Sequence, residues 1–348
     1  HGLCLYNNHK KSVNDSKTAV YIVVIFDIST LFFSVCNYYI IEAQKKTSNI
    51  LLFEQTRQFR FQSKKGVQEK MANKVRIGLL GAGRIGKLHG ENLAHAVPNA
   101  DLYAVADPFM NDATRAWAAD MGIEKCYDDP EMIFGDPTIE AVFICSSTAT
   151  HADFIMRAAQ TGKHIFCEKP IDTKLAKIEE ALAAVKKAGV KLQVGFVRRF
   201  DHNHKAVRDT VASGKLGKPN LIKVTSRDPD HQPMSYIKVS GGIFMDMTIH
   251  DFDMVRYLAG SEVTEVTAYG AALSGAGYEE YGDVDTAIVM MKFENGALGV
   301  IDNSRAAHYG YDQRTEVHCD QGCVQVANDM NNTAMISSAA GVEVAKPT

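Results

Sequence analysis

This 348-residue sequence is short of several things. It has 1 Trp and 9 Pro, and its 7 Cys form no CxxC pair. A disulfide scaffold or a zinc ribbon would need closely spaced pairs, so neither is expected, and no metal site is. Cys319 and Cys323 are near each other but lack two further ligands. Excess basic charge is missing too: the formal net charge is −3, which gives no broad cationic face for nucleic acid. What remains, 46% hydrophobic and 23% charged, is the composition of a water-exposed globular chain long enough for two domains.

The first 70 residues contain no Met or Pro and carry a net +5, whereas the remaining 278 carry −8. The first methionine, Met71, immediately precedes a strand-like run. Residues 1–70 are therefore expected to be a leader outside the fold. Within them 19–41 is apolar and long enough to span a bilayer. However, Asp27 sits inside it, at a cost of ~2.5–3.5 kcal/mol, and lysines flank both ends. An anchor is disfavoured; a cytoplasmic protein with no membrane partner is expected.

From Met71 onward strand and helix signals alternate: strands at 75–80, 101–106, 141–145, 164–167 and 191–195, helices between them. Such alternation predicts an α/β chain, with a doubly wound parallel sheet of Rossmann type over 71–194. The first strand runs into Gly81-Ala-Gly83-Arg84-Ile85-Gly86, and an acid, Asp107, ends the next strand. A lone GxGxxG means little, but between a strand and a helix it points to a dinucleotide. Gly81 permits a tight turn, Gly83 lets backbone approach a pyrophosphate, and Gly86 lets the helix pack on the strand. Amides around Arg84 and Ile85 face the phosphates. Asp107 can accept ribose hydroxyls and would repel a 2′-phosphate, so NAD is expected over NADP.

Further cofactor-side candidates lie where later strands end. Ser146, Ser147 and His151 follow the 141–145 strand, where hydroxyls could line the cleft or cap a helix. Glu168 and Lys169 sit in Cys167-Glu-Lys-Pro170 at the end of another strand, and a lysine there can donate to a substrate oxygen.

Beyond Gly195 strands follow one another, with helices at 196–213 and 242–258. This predicts an α+β domain over 195–348 with a largely antiparallel open sheet. In Gly241-Gly-Ile-Phe-Met-Asp246-Met-Thr-Ile-His250, Asp246 and His250 are spaced i,i+4 on one helical face. A histidine there can take a hydroxyl proton, with the carboxylate setting its orientation. A plain helix-stabilising pair, or half of a metal site with Asp251 or Asp253, would use the same residues.

These motifs, together with Gln193-Val-Gly-Phe-Val-Arg-Arg-Phe-Asp201, Ser226-Arg-Asp-Pro229 and Tyr309-Gly-Tyr-Asp-Gln-Arg314, resemble the Gfo/Idh/MocA oxidoreductase family, and within it the inositol dehydrogenases. The resemblance covers Val75 to about Asn328. It implies a catalytic triad of Lys169, Asp246 and His250, and polyol contacts from Arg198, Asp228 and Tyr309 or Tyr311. It further implies NAD-linked oxidation of a secondary alcohol of myo-inositol to a keto-inositol, and a homo-oligomer, dimer or tetramer. Family members continue past the position of Thr348, so the second domain is expected to be C-terminally short.

Overall fold

The computed structural model describes residues 22–25, 74–330, 332, 334–338 and 341–344. Of the expected leader it describes only a strand, β1 (Ile22–Ile25); the rest of the 19–41 stretch lies outside the described residues. The chain divides between Phe196 and Val197 into two compact units.

The unit ending at Phe196 is a six-stranded sheet of β2 (Val75–Leu80), β3 (Ala100–Ala106), β4 (Lys125–Tyr127), β5 (Ala141–Ile144), β6 (His164–Cys167) and β7 (Leu192–Val194). All neighbours are parallel, in the order β4-β3-β2-β5-β6-β7. The order reverses between β2 and β5, the switch point at which open parallel sheets bind ligands. Helices Arg84–His95, Thr148–Gln160 and Leu175–Ala188 supply crossovers. They cover both faces, which is why β2 reads as a nearly continuous apolar run. One core layer contains Leu80, Ala104, Val142, Ile144 and Ile155; the other contains Ile77, Leu79, Leu93, Leu102 and Val105. Each large aliphatic side chain buried there stabilises the unit by ~1.5–3 kcal/mol.

The second unit is built on β8 (Pro219–Arg227), β9 (Val263–Ala271), β10 (Thr286–Phe293), β11 (Leu298–Ser304), β12 (Asp312–Cys319) and β13 (Gly322–Val326). With β1 at one edge the order is β1-β9-β10-β11-β8-β12-β13, antiparallel except for the β11–β8 pair. Period-2 burial along β10, where Ala287, Val289, Met291 and Phe293 face in, directs one face onto helix Thr248–Ala259. Asn295-Gly296 makes the β10–β11 hairpin turn; Gly296 adopts φ +87, and the Asn295 side chain accepts the Ala297 amide. A separate hairpin pairs β14 (Met335–Ser338) with β15 (Gly341–Val344).

Two helices differ from their sequence expectation. The expected 196–213 helix is a 3-10 turn, Val197–Phe200, followed by helix His202–Ala212. Asp201 separates them because its carboxylate caps the amides of Asn203 and His204. The expected 242–258 helix is two, Gly242–Asp246 and Thr248–Ala259. At the joint the Thr248 hydroxyl, 3.2 Å from the Ile243 carbonyl, gives its one proton to Asn303 Oδ1 at 2.6 Å. Asp246 and His250 thus lie on opposite sides of a joint at Met247.

Candidate active site

In the first unit the glycine turn is fixed from both sides. The Gly81 amide donates to the Ala106 carbonyl at 2.8 Å, and the Cys145 amide to the Leu80 carbonyl at 2.8 Å. Gly81 adopts φ +96, and a Cβ there would lie 2.7 Å from Cys145 O. At Gly86 a Cβ would lie 2.0 Å from Gly81 O, so helix and turn are packed as closely as backbone permits. Gly83 is the informative one. Its φ of −70 and ψ of −172 suit any residue, and no heavy atom lies within 4 Å of where its Cβ would be. Neither conformation nor packing requires glycine here, whereas a pyrophosphate laid against the turn would. The helix behind it starts at Arg84 and Ile85.

Asp107 ends β3 and reaches this turn: Oδ2 accepts the Ala82 amide at 2.7 Å, and Oδ1 the Phe109 amide at 2.8 Å. Carboxylate oxygens retain lone pairs beyond these, so ribose hydroxyls could still be accepted. The residues therefore fit a dinucleotide with an unphosphorylated ribose.

On the other side of the switch point, Ser146 and Thr150 share a hydroxyl hydrogen bond of 2.7 Å, and Ser147 is the N-cap residue without a side-chain cap bond. His151, expected among the cofactor contacts, is buried, with Nδ1 2.8 Å from the Pro170 carbonyl and Nε2 3.0 Å from the Ser146 carbonyl. A neutral imidazole carries one N–H, so one of these contacts is a donated hydrogen bond, and His151 links the Ser146 loop to the lysine loop. Glu168 is likewise turned inward: Oε1 lies 2.7 Å from His89 Nε2 on helix Arg84–His95, and Oε2 accepts the Lys169 amide at 3.2 Å. A Cβ on residue 195 would come within 3.1 Å of the Glu168 carboxylate, so Gly195 makes room for it. His89 escaped sequence reading, because a histidine in the middle of a helix carries no local signal of a partner 79 residues away.

In the second unit the candidates converge on a group of buried charges. Asp246 is held at both oxygens: Tyr236 donates to Oδ1 at 2.6 Å, and Arg305 Nη2 to Oδ2 at 3.2 Å. Arg198 forms an ion pair with Asp251, and its Nη2 donates to Ser226 Oγ at 3.1 Å. Asn303 Nδ2 donates to the second Asp251 oxygen at 2.8 Å, and Asn303 Oδ1 accepts from Thr248 at 2.6 Å. Arg199 grips Asp253 through Nε at 2.7 Å and Nη2 at 2.6 Å. Arg198, expected to face substrate, is largely buried, and its guanidinium already pairs with Asp251 and Ser226.

Burial pushes the Asp228 carboxyl above its ordinary range; Arg305 and Arg198 pull the other way, while Asp246 and Asp251 add to the rise. Burial raises Asp251 in the same manner, against Arg198 and its hydrogen bonds. Arg198, Asp228, Asp246 and Asp251, with Arg305 added, therefore share one electrostatic neighbourhood. Of the two tyrosines, Tyr311 acts electrostatically on Arg198 in this group. Tyr309 donates to Asp312 at 2.6 Å and accepts from Arg227 at 3.1 Å. Tyr309, half exposed, thereby braces the start of β12.

Residues 75–196 match a family described as an oxidoreductase family with an NAD-binding Rossmann fold, and 204–325 match the GFO/IDH/MocA C-terminal domain. The chain is 48% identical to myo-inositol 2-dehydrogenase of Thermotoga maritima over 77% of this chain and 79% of that one. It is 42% identical to the NAD(+) scyllo-inositol 2-dehydrogenase of Bacillus subtilis, over 78% and 79% respectively. Among solved structures, a myo-inositol dehydrogenase from Corynebacterium glutamicum superposes with a TM-score of 0.73 at 37% identity, covering 79% of this chain and 81% of that chain. Two family matches that together span the strand order, the glycine turn and the Asp246–His250 joint leave one assignment: the chain belongs to the Gfo/Idh/MocA oxidoreductase family.

Proposed function

We propose that this protein is an inositol 2-dehydrogenase that oxidises myo-inositol to 2-keto-myo-inositol with NAD as hydride acceptor. The observation that carries the reading is the Asp246 carboxylate, fixed at both oxygens by Tyr236 and Arg305, in a chain 48% identical to a named myo-inositol 2-dehydrogenase. NAD, when bound, accepts the hydride. Gly81, Gly83 and Gly86 would hold its pyrophosphate and Asp107 its ribose. His250 takes the hydroxyl proton of the substrate, Lys169 donates a hydrogen bond to the oxygen as negative charge builds on it, and Asp246 orients His250. Arg198, Asp228 and Tyr309 or Tyr311 bind neighbouring hydroxyls.

Offering the protein NAD with myo-inositol, scyllo-inositol and glucose, and following NADH absorbance, tests this. Oxidation of a cyclitol that is lost in His250→Ala is the expected result; no NADH from any cyclitol refutes it. The B. subtilis relative favours scyllo-inositol as the second reading, and the same panel separates the two by relative rate.

Among the described residues no helix is long and apolar enough to cross a membrane. We place the enzyme in the cytoplasm, which suits its free cysteines, and fractionation of the activity tests this. We also assign it a homo-oligomeric state. The outer sheet face exposes Leu221, Tyr269, Ile288, Met290 and Leu298, and a second copy would cover them. Light scattering that finds a monomer, or a Met290→Glu variant of unchanged mass, would refute it.

A further inference from the structure

Arg305 is the largest of the fully buried side chains, with no exposed surface. It follows the last residue of β11, and its amide is anchored on the Asp285 carbonyl at 2.8 Å. A guanidinium cannot shed its proton to escape burial. A buried ion pair is also a poor means of adding stability, because desolvation offsets the attraction. Even so, Arg305 meets a single carboxylate hydrogen-bond partner, Asp246 Oδ2, through Nη2, while Nε and Nη1 face no acceptor. Its charge is also felt at Asp228. A side chain serving the fold alone would be apolar or fully bonded; this one is directed at the carboxylate that Tyr236 holds from the other side at 2.6 Å.

We propose that Arg305 is a positioning residue for the dehydrogenase reaction, fixing the Asp246 carboxylate against Tyr236 so that Asp246 in turn fixes His250. The proposal rests on the inositol dehydrogenase reading. Arg305 touches no reacting atom. Without it, the Asp246 carboxylate would lose its cationic partner at Oδ2 and with it one of the bonds that fix its orientation. A loosening of about 1 Å in such an arrangement costs up to ~10²-fold in rate.

The test is a double-mutant cycle of Arg305→Met and Asp246→Asn, with Arg305→Lys as the conservative variant. Expected are a fall in kcat of ~10–100-fold in Arg305→Met with the KM for NAD unchanged, and recovery of most of that loss in Arg305→Lys. The double variant should be no slower than Asp246→Asn alone, because Arg305 acts only through Asp246. Losses that multiply in the double variant, or a well-folded Arg305→Met with unaltered kcat, overturn the proposal. If Arg305→Met does not fold, the Lys variant and the double variant, which leaves no lone buried charge, decide the matter. Melting temperatures across the same cycle need no turnover: each single variant should lose more than its share of the double, and strictly additive losses overturn the pairing. Wild-type protein inactive on every cyclitol refutes the functional reading instead, and the melting cycle still judges the Arg305–Asp246 pair.

Discussion

Gly83 and Gly86 stand three residues apart in one turn, and alanine at the two positions should fail in different ways. At Gly86 the new Cβ would lie 2.0 Å from the Gly81 carbonyl oxygen and 2.9 Å from its carbon. Both neighbours are backbone, so ordinary contact returns only if helix Arg84–His95 and the turn separate by about 1 Å or more. Overpacking of that kind costs ~1–3 kcal/mol, a fall in melting temperature of roughly 2–10 °C for a protein of this size. The displaced amides would also lose at least one bond to the pyrophosphate, ~1.5–3 kcal/mol, or about 10–100-fold in NAD affinity. At Gly83, where φ is −70 and nothing lies within 4 Å of the added carbon, alanine should leave the fold as stable as before. It should gain about 0.4–1 kcal/mol by restricting the unfolded chain. NAD should nevertheless bind at least tenfold more weakly, because the added carbon occupies the space the phosphates need. Differential scanning calorimetry and equilibrium titration with NAD measure the two quantities separately. A Gly83→Ala protein that binds NAD like wild type, or that melts far below it, would refute the reasoning.

Three further outcomes follow from the same structure. His250→Ala should keep wild-type NAD affinity and lose ~10²–10⁴-fold in turnover, as steady-state kinetics will show. Asp312 is buried, which opposes ionisation, but Arg314, Tyr309 and Asn328 outweigh burial and hold its carboxyl well below the ordinary range. A depressed native value stabilises the fold above the unfolded aspartate value, ~3.9, and the contribution is lost as pH falls through the native one. Asp312→Asn should therefore lower the urea midpoint at pH 7, with the gap to wild type closing below about pH 4. Burial raises the Cys145 and Cys167 thiols well above their ordinary value, whereas Cys323 is exposed. Iodoacetamide with peptide mapping should label Cys323 in the native protein, and Cys145 and Cys167 only after unfolding.

The parallel sheet and its glycine turn were legible in the sequence because their signals are local. An apolar strand, a glycine pattern, a helix start and an acid on the next strand all fall within Val75–Asp107. The Asp246–His250 spacing was equally local. What could not be read was how each candidate is held. Arg305 is 59 residues from Asp246 and follows a strand, where an arginine would pass for a solvated strand end. Asp251 looked like a spare acid beside His250, yet it has no exposed surface and anchors Arg198 and Asn303. For Arg198 and His151, position in a motif shows that a side chain matters, but not which donors already have partners inside the protein. The Asp201 cap followed from side-chain-to-backbone bonds that compete with helix continuation.

Arg198 and Arg199 are adjacent in the 197–200 turn, and they pair with Asp251 and Asp253, alternate residues of helix Thr248–Ala259. Two ion pairs at that spacing act as a keyed joint: slide the helix by one residue and both arginines lose their acids together. The turn and the helix must therefore be inherited, or transplanted, as one piece. An engineer who moves the His250 helix into a relative to change its polyol preference will have to bring the Val197–Phe200 turn with it.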